Sequence, residues 1–156
     1  SERANKHSAD SIVREKLIIL LIIENPFLIS KYLEELGLII FGNVELSKIC
    51  QRIVEYITSK DDKNLENLDI KSYLVEKGFQ QQIIDIYSPS LLNTYQPLLK
   101  NNEQEVERSF LEFLNIQNKF AENKEIDQAA LDLEENMNEE SFEKFLKLKK
   151  ESLNTD

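Results

Sequence analysis

The sequence SIVREKLIILLIIENP, at residues 11–26, decides the fold of this chain. Every residue from 17 to 23 is Leu or Ile, so a helix formed here is apolar on all its faces and must be covered on every side. The run is too short to cross a bilayer, which takes about 20 residues. We therefore interpret it as the buried central helix of a helical domain, capped by Asp10 or Ser11 and ended by Asn25-Pro26.

A buried β-strand is the alternative interpretation of this run. Ile favours strands, and periodicity alone does not separate a short buried strand from a buried helix. The charged residues 14–16 lie between Val13 and Leu17 at a spacing that suits a helix. The chain also has only three Gly and three Pro in 156 residues, too few for the many turns of a β protein. We therefore expect an all-α fold.

Composition and charge narrow the class of protein further. Hydrophobic residues make up 41% of the chain and charged residues 31%, which is typical of a folded domain. The net charge is −10, so we expect no direct nucleic-acid binding, which needs clustered Lys and Arg. Residues 103–156 hold 15 of the 29 acidic and 7 of the 19 basic residues, which indicates a chemically distinct C-terminal part.

These patterns predict three segments. Residues 1–10 are expected to be a disordered lead or linker. Residues 11–121 are expected to form a bundle of about six helices, including the first part of a long connecting helix. Residues 122–156 are expected to form a C-terminal helical hairpin. Whether the long helix breaks near Glu122 is left open.

Turn and cap residues predict where the shorter helices begin and end. A helix over residues 26–36 should end at Gly37. Asn43 and Asp69 should cap helices over residues 44–60 and 70–77. Two more helices are expected over residues 79–87 and 91–100, the second interrupted by Pro97. Asn138, after a turn at 136–138, should cap the last helix at 139–153.

The residue types that catalysis needs do not converge in the sequence. The one His, His7, falls in the expected lead, so a nucleophile activated by an ordered His is excluded. Cys50 falls on the apolar face of its helix and is interpreted as an inert core thiol. The Asp61-Asp62 loop lacks the Gly and the alternating ligands of a calcium loop. We therefore expect no enzyme activity, no metal and no cofactor in this chain.

The C-terminal hairpin is the candidate functional element. Its two helices are expected to pack along a seam between residues 126, 130, 133 and 137 and the side chains of Phe142, Leu146 and Lys149. That seam leaves Phe145, Leu148 and Leu131 exposed. Exposed apolar residues surrounded by charged ones are typical of a surface that binds another protein. The alternative is that the hairpin folds back and these residues complete the core.

Three stretches resemble a known family. REKLIILLIIENPFL at residues 14–28 resembles the first helix of the C-terminal domain of bacterial replicative DNA primases, where a Leu/Ile-rich helix leads into an Asn-Pro turn. NEQEVERSFLEFL at 102–114 and NEESFEKFLKLKK at 138–150 are similar to that domain's long helix and terminal hairpin. The resemblance runs from about Ser11 to the end of the chain, although residues 61–87 carry no signature.

The resemblance implies a function that composition does not show. In that family this domain binds the N-terminal domains of the hexameric replicative helicase, which brings primer synthesis to the cytoplasmic replication fork and modulates the helicase. We expect this chain to contain neither the zinc-binding domain nor the polymerase domain of a primase. We expect the helicase contacts on the hairpin, at Leu131, Phe142, Phe145, Leu146, Leu148, Lys149 and Leu153.

Further partners and alternative functions also follow from the resemblance. In some lineages the primase domain touches the acidic tail of single-strand-binding protein through basic residues near its first helix, a place that Arg14 and Lys16 occupy here. No membrane partner is expected. The bundle also resembles the helicase's own N-terminal domain, which is one alternative. A structural module that forms homodimers through the hairpin is another.

Overall fold

A computed structural model describes residues 2–60, 68–135 and 139–153 of the chain, with the backbone alone for residues 2–9. In these ranges the protein is all-α, as predicted, with nine helices and no strand. The helices are α1 (Glu2–Glu24), α2 (Phe27–Lys31), α3 (Leu33–Leu38), α4 (Val44–Thr58), α5 (Ile70–Glu76), α6 (Gln80–Ile86), α7 (Pro89–Leu99), α8 (Glu103–Glu135) and α9 (Glu139–Leu153).

Helix α1 lies at the centre of the fold, and its apolar run is helical rather than extended. Residues 18–22 are 0% exposed, because α2, α4, α6, α7 and α8 all pack around them. The burial removes five adjacent large aliphatic side chains from water, each worth about 1.5–3 kcal/mol. The prediction of a buried central helix is therefore confirmed.

The start of α1 differs from the prediction. The helix begins at Glu2, so residues 2–10 continue α1 toward its N-terminus, and the expected caps Asp10 and Ser11 lie inside it. This stretch contains no Gly or Pro, and its Ala, Glu, Arg and Lys residues are good helix formers. Polarity alone led us to expect a disordered lead there, but polarity does not distinguish a disordered segment from a helix built of good helix formers.

The expected helix over residues 26–36 is divided in two. Tyr32 separates α2 from α3 with φ −119° and ψ 33°, and α3 continues through Gly37 to Leu38. Gly37 is therefore not the predicted C-cap. The Tyr32 hydroxyl donates a hydrogen bond to Glu107 of α8, which raises the pKa of Tyr32 to about 12. Its ring also packs against Phe110 at 5.3 Å, so the break coincides with a tertiary contact that the local sequence does not reveal.

Several predicted helix ends are confirmed. The Asn43 side chain accepts a hydrogen bond from the Leu46 amide at the start of α4. The Asp69 carboxylate likewise accepts from Ser72 at the start of α5, which lowers the pKa of Asp69. The interruption expected at Pro97 is wrong, because Pro97 lies inside α7, which continues to Leu99.

Helix α8 is the longest element and joins the bundle to the C-terminal part. It has 33 residues and passes Glu122 without a break, so the expected domain boundary at 121–122 falls inside one continuous helix. Its first half packs against α1 and α7, and α9 packs against α8. Helix α9 has the predicted bounds, whereas the turn at 136–138 and the loop around Asp61-Asp62 lie outside the described residues.

Within the described ranges, no helix is both long enough and apolar enough to cross a membrane.

We predict that Leu21→Ala lowers the free energy of unfolding by about 2–5 kcal/mol, because it leaves a cavity in the fully covered face of α1. Ile84→Ala, at an exposed aliphatic residue on α6, is the matched control and should change stability by less than about 0.5 kcal/mol. Urea unfolding followed by circular dichroism measures both. Equal effects of the two substitutions would contradict the central position of α1.

Candidate protein-docking surface

Helix α9 carries an exposed stripe of three apolar residues and one lysine. Phe142, Leu146, Lys149 and Leu153 follow one another at intervals of four, three and four, which places them on one face of the helix. Phe142 is 50% exposed, Leu146 49% and Leu153 80%. No described residue of α9 is fully buried. We call these four residues the α9 stripe.

A second face of α9 makes the contact with α8. Phe145 and Leu148 are half-buried, as are Ser141 and Ser152 at the same helical spacing. On α8, Ala129 is buried, and Ile126, Ala130 and Leu133 around it are half-buried. The small Ala side chains allow two helices to approach closely. The seam therefore joins residues 141, 145, 148 and 152 to residues 126, 129, 130 and 133.

This seam corrects our prediction. We expected Phe142, Leu146 and Lys149 in the seam and Phe145 and Leu148 exposed, and the structure has the reverse. The two sets are related by a rotation of about 100° around α9, which is one residue step. Both sets satisfy helical spacing, so periodicity alone does not choose between them. The α8 contribution at 126, 130 and 133 was predicted correctly, but Ala129 was missed because a single Ala carries little hydrophobic signal.

Charges around the α9 stripe are divided along the helix. Glu139, Glu140 and Glu143 lie in its first five residues, whereas Lys144, Lys147 and Lys150 follow them, with Glu151 as the one acid near the end. This order complements the helix dipole, which favours acids near the N-terminus and bases near the C-terminus. The Lys149 ammonium also lies over the Phe145 ring, 5.3 Å from its centroid. The apolar stripe is thus bordered by charged side chains of both signs.

Leu131 is exposed, as predicted, but it belongs to a different feature. It lies on the face of α8 that points away from the α9 seam, because residues 126, 129, 130 and 133 occupy the other side of the helix. Together with Ile40, Ala121 and Lys124 it lines an open cleft of about 520 Å³. Of the seven predicted contact residues, four lie in the α9 stripe, two in the seam and one in this cleft.

Arg14 and Lys16 do not form one cationic site. Successive helix positions differ by about 100°, so residues two apart point in nearly opposite directions. The Arg14 Nε donates to the Gln117 Oε1 at 2.8 Å, and its guanidinium lies 5.4 Å from the Phe120 ring centroid. Burial lowers the pKa of Arg14. Lys16 instead lines a cleft of about 330 Å³ between α1, α4 and α6, which Glu45 and Asp85 also line.

A buried polar cluster lies where α8 leaves the bundle, and our sequence analysis missed it. Glu15 and Gln117 are each 1% exposed. The Glu15 carboxylate accepts hydrogen bonds from the backbone amides of Gly42 and Asn43, at 2.8 and 3.0 Å. It also accepts from the Gln117 Nε2 at 2.9 Å.

Gln117 is the centre of this cluster. Its Nε2 also donates to the Ile40 carbonyl oxygen at 2.8 Å, and its Oε1 accepts from Arg14. The side chain therefore joins α8 to two residues of α1 and to the link between α3 and α4. One signal in the sequence points to it: Gln117 continues the buried stripe of Val106, Phe110 and Leu114, where an apolar residue is expected.

Two observations bear on reactive groups in the described residues. In the described ranges, no group of three or more His, Cys, Asp and Glu side chains is arranged to hold a metal ion. Cys50 is buried and lines a small cavity of about 220 Å³, and its thiol faces the Leu36 carbonyl oxygen at 3.7 Å. Burial raises the pKa of Cys50 to about 12.

Searches against family models, curated proteins and solved structures found no match to this chain.

We predict that the Cys50 thiol does not react with Ellman's reagent in the native protein at pH 8. At pH 8, four units below the pKa of about 12, almost no thiolate is present. The side chain is also buried and shielded from the reagent. The thiol should react within seconds once guanidinium unfolds the chain. Stoichiometric reaction under native conditions would show that the α3–α4 region opens easily.

We predict that Phe145→Ala loosens α9 from α8, whereas Phe142→Ala does not. The first substitution removes a half-buried ring from the seam, and the second removes one from the exposed stripe. Amide hydrogen exchange by mass spectrometry measures the result as faster exchange over residues 139–153 in the Phe145 variant alone. Faster exchange in the Phe142 variant alone would show that Phe142, and not Phe145, packs against α8, as the sequence predicts.

Proposed function

We propose that this chain is a non-catalytic docking domain that binds the N-terminal domains of a hexameric replicative helicase through helix α9. The observation that carries the proposal is the α9 stripe, in which three exposed apolar side chains and Lys149 recur at helical spacing on a face of α9 outside the seam with α8. Apolar stripes with a charged border are characteristic of surfaces that bind another protein.

The choice of partner rests on the resemblance to the helicase-binding domain of bacterial primases. A helical bundle, a long connecting helix and a terminal hairpin follow one another here in the order that the resemblance implies. Docking of this kind would bring primer synthesis to the replication fork in the cytoplasm and alter the activity of the helicase. The contact residues we propose are Phe142, Leu146, Lys149 and Leu153, in place of the set expected from the sequence.

The seam residues have a supporting role in this proposal. Phe145 and Leu148 hold α9 against α8 and so present the stripe on a fixed helix face. An ordered helix loses less conformational freedom on binding than a flexible segment does, which favours affinity. The stripe therefore acts as a preformed ridge that fits an apolar groove between helices of the partner.

The test compares the parent with the double variant Phe142→Asp/Leu146→Asp. Each is titrated with the N-terminal domain of the cognate helicase, and calorimetry measures the affinity. Both residues are exposed, so the fold should persist, and circular dichroism checks this. We expect affinity to fall at least about tenfold, because two carboxylates would be buried without partners. Ile84→Asp, at an exposed aliphatic residue on α6, is the matched control and should bind like the parent.

Two outcomes would overturn the proposal. In the first, the double variant is folded and binds as tightly as the parent. In the second, the parent does not bind the helicase domain, and light scattering shows a dimer that the double variant converts into a monomer. The α9 stripe would then be a surface for self-association.

A further inference from the structure

Among the described residues, Gln117 is the last fully buried residue of α8 that contacts the bundle. Before it, the buried residues of α8 that face the bundle are apolar: Val106, Phe110 and Leu114. Beyond it, the Phe120 ring still lies 5.4 Å from the Arg14 guanidinium, but Phe120 and Ala121 are only half-buried, and Lys124 and Gln128 are exposed. The open cleft lined by Ile40 and Leu131 begins at this point. The contact of α8 with the bundle therefore thins out after Gln117, toward the part of the helix that carries α9.

The chemistry of the Gln117 contact differs from that of the contacts before it. An apolar side chain in a groove tolerates small rotations, because dispersion forces have little directionality. A hydrogen bond weakens steeply as its angle departs from linear. Gln117 makes three such bonds, to Arg14, Glu15 and the Ile40 carbonyl, in three different directions. These bonds define how α8 is rotated about its axis and the direction in which it leaves the bundle.

The arm beyond this point, formed by the rest of α8 and by α9, is stiff. Helix α8 continues without a break from Gln117 to Glu135, and the packing of α9 on it adds a second helix. A break near Glu122, which the sequence left open, is absent. A change in the direction of the hairpin that leaves α8 straight therefore alters the hydrogen bonds of Gln117, together with the neighbouring contact between Arg14 and Phe120.

We propose that Gln117, Glu15 and Arg14 form a polar clamp that fixes the angle of the α8–α9 arm, and that opening this clamp allows the arm to swing on the bundle. The distance from Gln117 to Glu135 is about 27 Å along the helix, so a tilt of about 20° moves the tip by roughly 9 Å. The cleft of about 520 Å³ between Ile40 and Leu131 gives the arm room to move on that side.

The clamp also links the arm to helix α4. The Glu15 carboxylate that accepts from Gln117 also accepts from the amides of Gly42 and Asn43, and Asn43 caps α4. A displacement of the link between α3 and α4 would therefore remove the partners of Gln117 and release the arm. For a docking domain, which is the function proposed above and on which this consequence rests, the clamp determines which subunit of a ring α9 reaches.

The test measures the arm in the free chain by double electron–electron resonance. Spin labels go on Lys48→Cys in α4 and Lys147→Cys in α9, both exposed, in a Cys50→Ala background. Gln117→Met keeps the length of the side chain and removes all its hydrogen bonds. Leu114→Met, one turn earlier on the same buried stripe, is the matched control.

The clamp predicts a narrow distance distribution in the parent and in Leu114→Met, and a distribution broadened or shifted by roughly 9 Å or more in Gln117→Met. A folded Gln117→Met variant with the parent's distribution would overturn the proposal. If that variant does not fold, Arg14→Met removes one of the three bonds, and an unchanged distribution in that variant overturns the proposal as well. No helicase is present in this measurement, so its outcome is independent of the binding titration.

Discussion

Burial of a helix that is apolar on all its faces is the constraint on which the structure depends. An amphipathic helix needs one partner, but residues 18–22 of α1 need covering on every side. Five other helices pack against α1 and cover these residues. Two of them, α2 and α6, have no more than seven residues each. Short helices of this kind are marginal in isolation, so their stability comes from packing on α1. The other helices of the bundle are therefore arranged so that they bury this one segment of α1.

The two halves of helix α8 are held by different kinds of contact. The first half helps to bury α1 and is held by apolar packing against α1 and α7. The second half leaves the core and is covered on one side by α9. The change occurs at Gln117, where the buried stripe becomes polar and its contacts become directional. A long helix anchored at one end transmits the geometry of its anchor to its far end, which is why a buried polar side chain matters for a surface some distance away.

Local sequence patterns predict the structure where one physical effect dominates, and they do not where two arrangements are nearly equivalent. The caps at Asn43 and Asp69 were predictable, because a side-chain acceptor at the first turn is a local interaction. The α9 seam was predicted on the wrong face, because two adjacent apolar stripes satisfy the same period. The break at Tyr32 was not predictable, because its partners Glu107 and Phe110 are more than 70 positions away in the sequence. The Glu15–Gln117 pair was missed for the same reason.

The sequence by itself determined the class of fold, the identity of the central helix and the bounds of the last one. These depend on composition, on the period of apolar residues and on local caps, all of which are encoded within a few turns of chain. Only the tertiary structure decided which face of α9 meets α8, where the arm leaves the bundle and that Glu15 and Gln117 are buried partners. Those features depend on free-energy differences between alternative packings of distant segments, and such differences arise only when the segments are in contact.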